Sequence, residues 1–258
     1  ALPFLSSKRL ELGFGIAQIE DRYFQKNVID FDKDKYDKSG YRLFGGSVSF
    51  NGSTLNSRQF PIQGAREALV AQIFTGNESF RPGVNSENKK PVKEKHSWLQ
   101  LSYMKEKYHK MGANWILGWY LDAVYASKNF SENYTATMMQ ASEFAPTAHS
   151  KLTYNEAFRA NQYVAAGIRP IYRLNQMFHV RGEFYGFLPI FPIERNSINK
   201  AYYGKAFSRF EYLGEISVVC QLPFGAISAY VNHYSSPRRE WNVGLTLGWQ
   251  LFNYRFIE

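Results

Sequence analysis

Trp241-Asn242-Val243-Gly244-Leu245-Thr246-Leu247-Gly248-Trp249-Gln250-Leu251 alternates Trp, Val, Leu, Leu, Trp and Leu with Asn, Gly, Thr, Gly and Gln. Successive side chains of a strand point to opposite faces, so the stretch reads as a β-strand with one greasy face and one small, polar face. The same period recurs. Phe178, Val180, Gly182 and Phe184 share one face, opposite His179, Arg181, Glu183 and Tyr185. Farther on, Phe210, Tyr212, Ile216, Val218 and Cys220 oppose Arg209, Glu211, Glu215, Ser217 and Gln221. A sustained 3.6-residue period is almost absent, so the chain is all-β.

Composition narrows the class. Aromatic residues make up 17% of the 258 residues while mean hydropathy is negative, so apolar residues are interleaved with polar ones. No run approaches the roughly 18 consecutive apolar residues of a spanning helix, which excludes a helical membrane protein. The start, Ala1-Leu2-Pro3-Phe4, has no basic segment followed by an apolar run and so predicts no signal peptide. The single cysteine, Cys220, excludes an intramolecular disulfide framework and a cysteine-based zinc site. The net charge is +9, yet no basic stripe interleaved with aromatic platforms is present. The partner expected is therefore an anionic lipid surface, with no nucleic acid.

A soluble sandwich also alternates, and the tryptophans break the tie. Trp98, Trp115, Trp119, Trp241 and Trp249 are placed near strand ends, on or close to the apolar face, where indole favours a bilayer interface. The apolar faces are then expected to touch lipid and the charged faces to line a lumen. The reading places strands at 9–24, 41–53, 65–77, 97–107, 114–127, 162–173, 177–190, 205–221, 226–235 and 240–253. Short connections at Phe60–Gly64, Lys110–Gly112, Leu174–Gln176 and Pro223–Gly225 alternate with longer or more polar ones at 25–40, 78–96, 128–161, 191–204 and 236–239. Short periplasmic turns and long outer loops are the habit of an antiparallel transmembrane β-barrel of the bacterial outer membrane. Residues 1–258 are read as one such domain, with 128–161 as its long extracellular loop.

Three stretches resemble the bacterial surface antigen superfamily of sixteen-stranded outer-membrane barrels. Thr54, Leu55 and Asn56, followed by Pro61 and Gly64, look like its "T-L-D/N … P-x-x-G" corner. Phe158-Arg159-Ala160-Asn161-Gln162-Tyr163 stands where the family has Arg-Gly-Phe/Tyr in its long loop, with Ala160 replacing the glycine. Glu183 occupies the place of the acid that receives the loop arginine. The resemblance implies strands seven to sixteen of the barrel, a periplasmic corner at 54–64, and an Arg159–Glu183 ion pair inside the lumen. The alternative pairs Glu183 with Arg181 or Arg209. Residues 133–172 and the ending Trp241–Glu258 are most similar to the C-terminal barrel of patatin-like phospholipases, in which a serine hydrolase precedes the barrel.

Little chemistry is legible. Gly45-Gly46-Ser47-Val48-Ser49 has Ser49 where a nucleophile elbow needs glycine. Asp30-Phe31-Asp32-Lys33-Asp34 has Lys35 where a calcium loop needs glycine. The histidines at 96, 109, 149, 179 and 233 form no pair at ligand spacing. No catalytic, cofactor or metal residue is expected in this chain. Asn242, Gly244, Leu247 and Trp249 fit the last-strand signal read by the outer-membrane assembly machinery.

Strand 9–24 cannot leave a bare edge in hydrocarbon. It is expected to close on strand 240–253, or to pair with upstream barrel strands or a partner chain. The function expected is a barrel module, set in lipid and lipopolysaccharide, that anchors or displays a patatin-like phospholipase domain lying outside this chain. The alternatives are an assembly or translocation barrel and a structural subunit of an outer-membrane complex.

Overall fold

The structure, a computed structural model, describes residues 2–5, 8–25, 35–84, 86, 90–223, 225–236 and 241–249. The acidic run at 30–34, Phe224, positions 237–239 and the strand end at 250–253 lie outside the described residues.

The main sheet is antiparallel and runs in chain order, with one insertion between its eighth and ninth members. Its strands are β1 (Leu2–Leu5), β2 (Lys8–Tyr23), β3 (Asp37–Ser53), β4 (Gly64–Arg81), β5 (Val92–Lys110), β6 (Trp115–Ala126), β7 (Gln162–Arg173), β8 (Phe178–Pro189), β11 (Glu211–Leu222), β12 (Gly225–Tyr234) and β13 (Trp241–Trp249). A separate two-stranded ribbon, β9 (Ile193–Arg195) and β10 (Ala201–Tyr203), fills the insertion. All ten predicted strands are present. β1 and the ribbon were not legible, because four- and three-residue strands carry too few alternations to register. Residues 205–210, expected at the start of a strand, precede β11 as irregular chain, with Phe207 at φ 55°.

The alternation sorts the side chains as the sequence predicts, but with burial inverted relative to a soluble core. One face exposes Leu12, Phe14, Ile16, Phe44, Ile73, Ile168, Phe184, Ile216, Val243 and Leu245, with Phe14 at 80% and Ile16 at 84%. The other face buries Glu78, Glu106, Arg169, Arg181, Glu183 and Glu215 beside aromatic rings. The buried face is concave. The corner after β3 reaches across it to the far end of the sheet: Phe60 packs on Val219 of β11 and Ala226 of β12, and Gln221 Nε2 donates to Ser57 Oγ at 3.3 Å. A Cβ at Gly248 of β13 would meet Gln59 at 2.2 Å. Residues 127–161, between β6 and β7, pack against the same face.

The ladder is not closed among the described residues, where β1 and β13 each have a single neighbour. β1 covers β2 only from Lys8 to Leu10.

The tryptophans divide. Trp115 and Trp241 are exposed near strand starts at 55% and 71%, and Trp119 is half-buried. Trp98 contradicts its expected place on the apolar face. It is 6% exposed on the concave side and stacks on Phe74 at 4.9 Å, because its even position in β5 shares a face with His96 and Glu106.

Candidate functional site

The corner at 54–64 holds its shape through side chain to backbone bonds. Thr54 N donates to Ala65 O at 2.8 Å, and Ala65 N returns a bond to Thr54 Oγ1 at 3.1 Å. Asn56 Oδ1 accepts from the backbone nitrogens of Ile62 and Gln63, each at 3.0 Å, so a short amide replaces a missing strand partner. Gly64 adopts φ 95°, and a Cβ there would lie 2.1 Å from Thr54 O. Only glycine fits. Leu55 and Ile62 pack on Tyr108, Ile116 and Ile171, and Pro61 O accepts from Arg181 Nη1 at 2.8 Å. The five motif residues thus place the corner inside the concavity rather than as a simple hairpin tip.

Residues 127–161 enter from the opposite end of the strands. Asn133 caps the helix α1 (Tyr134–Gln140) by accepting from Ala136 N at 2.9 Å. Two 3-10 turns, Ser150–Leu152 and Glu156–Phe158, follow. Phe144, Ala157, Phe158 and Ala160 pack against Tyr163, Tyr185, Phe187, Leu213 and Tyr234 from four strands. Ala160 is fully buried.

The structure does not bring Arg159 and Glu183 together. Arg159 Nη2 pairs with Glu143 Oε2 at 2.6 Å, while its Nη1 donates to the carbonyls of Met138, Met139 and Ala141 at 3.4, 3.1 and 3.2 Å. It therefore stitches the loop to itself around the end of α1. Burial pushes the Glu143 carboxyl above its usual range, with Arg159 pulling against it.

Glu183 has other cations. Arg181 pairs with it directly, as in the alternative reading, and Arg169 Nε lies 3.5 Å away. Arg169 also pairs with Glu106, bonds Tyr108 and Tyr185, and reaches Pro146 O in the loop at 3.3 Å. Two guanidinium groups thus face two carboxylates in a buried network. Arg169, absent from the predicted set, is the arginine that links Glu183 to the loop. Its signal was present: it is the one charge on the face of β7 opposite the apolar run Val164, Ala166 and Ile168, before Arg173 at the strand end.

A second anchor is His149. Its Nδ1 is 2.6 Å from Glu215 Oε1, its Nε2 is 3.0 Å from Ser228 Oγ, and its ring stacks on Tyr230 at 3.6 Å. Thr147 Oγ1 adds a bond to Glu215 Oε2 at 2.9 Å. Ser228, His149 and Glu215 are connected in the order of a hydrolase relay, but each is only 1% exposed, so no ester reaches Ser228 Oγ in this arrangement. The trio fastens the loop to β11 and β12.

A third set of contacts ties the loop to the start of the sheet. Asn133 Nδ2 donates to Tyr23 OH at 2.7 Å, Tyr41 OH to Ser131 Oγ at 2.9 Å, and Gln140 Nε2 to Asp21 at 2.8 Å. Glu78 bonds His96 Nε2 at 2.8 Å. Glu78, Glu94 and His96 bring one potential ligand atom each within 4.8 Å of one another and could hold a cation, with Glu94 the exposed member. Counting spacings along one strand missed this group, because Glu78 faces Glu94 across the β4–β5 ladder. Lys128 donates to Gln140 O at 3.1 Å and lies 4.7 Å from the Trp98 ring centroid. Burial pulls its pKa down to about 8, against the opposing pull of Glu78 and Asp21.

On the last strand, Asn242 Nδ2 donates to Asn232 Oδ1 at 3.2 Å, and Leu247 is 64% exposed on the convex face. A Cβ at Gly244 would meet the Tyr230 ring at 2.6 Å, so this glycine makes room for the ring that stacks on His149. Trp249 ends β13 opposite Gly225.

Neither a family model nor a curated protein matches this chain.

Proposed function

We propose that the chain is a β-barrel module of the bacterial outer membrane whose role is to hold and present a partner domain. The observation that carries this is the inverted burial: bulky apolar side chains up to 84% exposed on the convex face, with ion pairs and histidines buried on the concave one. A soluble sheet exposing so broad an apolar surface would aggregate. In lipid the same surface is solvated and the polar interior is screened. β2 to β5 run 16 to 19 residues, longer than the roughly 9–11 a tilted strand needs to span, so they project beyond the hydrocarbon.

The loop crosses the concavity from Asp21 on β2 to Ser228 on β12, so the module is plugged rather than open. This favours anchoring over conduction. A patatin-like phospholipase domain is the partner that the sequence resemblance implies. Among the described residues, the edges of β2 beyond Leu10 and of β13 have no strand partner, which favours a second reading, an assembly or translocation barrel that works through a lateral seam. A strand supplied from outside the chain, or closure of β13 on β2, would satisfy either edge.

The test is reconstitution of the chain in vesicles carrying brominated lipids. Quenching of the exposed Trp115 and Trp241, with Trp98 protected, is the expected result. Uniform access of all indoles to an aqueous quencher, with no bromine effect, would refute the membrane reading.

A further inference from the structure

The basic residues of the convex face are unevenly placed. On β6, β7, β8, β11, β12 and β13 the outward positions of the described residues carry no Lys or Arg. On β2 to β5, by contrast, they gather above the apolar belt at the end that bears the plugging loop. The strand register brings them into rows. Ile16, Phe44, Thr75 and Ser97 form the top row of the belt. The next outward row is Gln18, Arg42, Asn77 and Lys95, the one beyond it Glu20, Gly40, Ser79 and Lys93, and the last Arg22, Lys38 and Arg81. Successive rows stand about 7 Å apart along the strands and neighbouring strands about 4.8 Å apart. Six cations therefore share a compact surface just above the hydrocarbon. Arg22, Arg42, Arg81, Lys93 and Lys95 are exposed and Lys38 is half-buried.

Among the outward positions of the described residues, one acid sits with them. Glu20 pairs with Arg22 at 2.7 Å and Lys38 at 2.6 Å, which holds two side chains in place and leaves the patch strongly positive. The Tyr36 ring lies 5.3 Å from the Arg22 guanidinium and props it at the rim. At the opposite end the described residues carry three outward basic side chains: Lys8 and Lys105 converge on Glu67, at 3.9 and 3.3 Å, and Lys107 is exposed beside them, against six at the loop end. The asymmetry between the two ends marks one leaflet.

We infer that Arg22, Lys38, Arg42, Arg81, Lys93 and Lys95 form a binding site for the phosphate groups of lipopolysaccharide, seated where its acyl chains continue down the Ile16–Phe44 belt. This rests on the membrane reading above. Arginine offers paired donors to phosphate oxygens and lysine a mobile point charge, so a mixed patch spanning four strands suits a headgroup bearing more than one phosphate. A zwitterionic headgroup offers no net charge to it.

The test uses the full chain in vesicles of neutral lipid containing purified lipopolysaccharide, reading the amount bound per protein. The variant R42Q/R81Q/K93Q/K95Q is compared with wild type and with K107Q/K110Q at the other end. Each charge removed is expected to weaken binding about fivefold, the equivalent of about 1 kcal/mol per basic residue at an anionic surface. K107Q/K110Q should bind as wild type. Bromine quenching of Trp115 and Trp241 is read on the same vesicles. Quenching with undiminished binding by the fourfold variant overturns the site and leaves the membrane reading intact. Absence of quenching overturns both. Displacement of the glycolipid by millimolar inorganic phosphate would assign the patch to free phosphate and overturn the lipid site.

Discussion

His149 Nδ1 lies 2.6 Å from Glu215 Oε1 with both side chains sealed from solvent, and this contact joins the loop at 127–161 to β11. The loop is thereby held at both ends. Asp21, Tyr23 and Tyr41 take one side, and Glu215 and Ser228 the other.

Glu215→Ala is expected to free this second attachment. It strips His149 and Thr147 of their acceptor, and each buried donor left without a partner costs roughly 1–3 kcal/mol. Ser228→Ala removes one neutral bond, worth about 1 kcal/mol. Limited proteolysis should show rapid cleavage within 127–161 for the first variant and little change for the second. Equal cleavage in both would contradict the ranking.

The network around Glu183 and the stitch at Arg159 are separate. A double-mutant cycle between Arg159→Ala and Glu143→Ala should show measurable coupling, whereas Arg159→Ala and Glu183→Ala should add within about 0.5 kcal/mol. Coupling of the second pair in a denaturation series would restore the direct ion pair implied by the resemblance.

Gly64→Ala forces a Cβ onto Thr54 O at a left-handed φ. The strain, of order 1–3 kcal/mol, should lower the unfolding midpoint more than Asn56→Ala, whose loss of two bonds costs about 1–2 kcal/mol. Thermal melts in detergent rank the two. Gly64→Ala at wild-type stability would mean that the corner relaxes.

Lys128 sets a pH dependence. Its folded pKa of about 8 lies below its ordinary 10.5, so between those values the unfolded chain binds the extra proton. Stability should therefore rise as pH goes from about 8 to 10.5, and the penalty of burying the charge is fully present below about pH 8. Lys128→Met should flatten that rise in denaturation curves across the window. A rise that persists in Lys128→Met would assign it to other groups.

The strand content was legible because period-two alternation is a local property. Phe178 to Tyr185 and Trp241 to Gly248 announce which side chains share a face without reference to any other part of the chain. The polar-bond logic of Asn56 and Gly64 was legible as a motif for the same reason, since both act within the short corner at 54–64. What alternation does not state is which face is inside. Trp98 shows the cost: its indole was assigned outward by type, while its place in the period, shared with His96 and Glu106, sends it inward. Partner choice inside the concavity was not legible either. Arg159, Arg169 and Arg181 are equivalent as letters, and only the curl of the sheet brings Arg169 and Arg181 to Glu183 and leaves Arg159 with Glu143. The sequence by itself determined the strands, their two-faced character and the corner at 54–64, because short-range sterics and periodicity suffice for these. The tertiary structure alone decided which charges meet, because ion pairs between strands and loop depend on long-range register and curvature that no local pattern encodes.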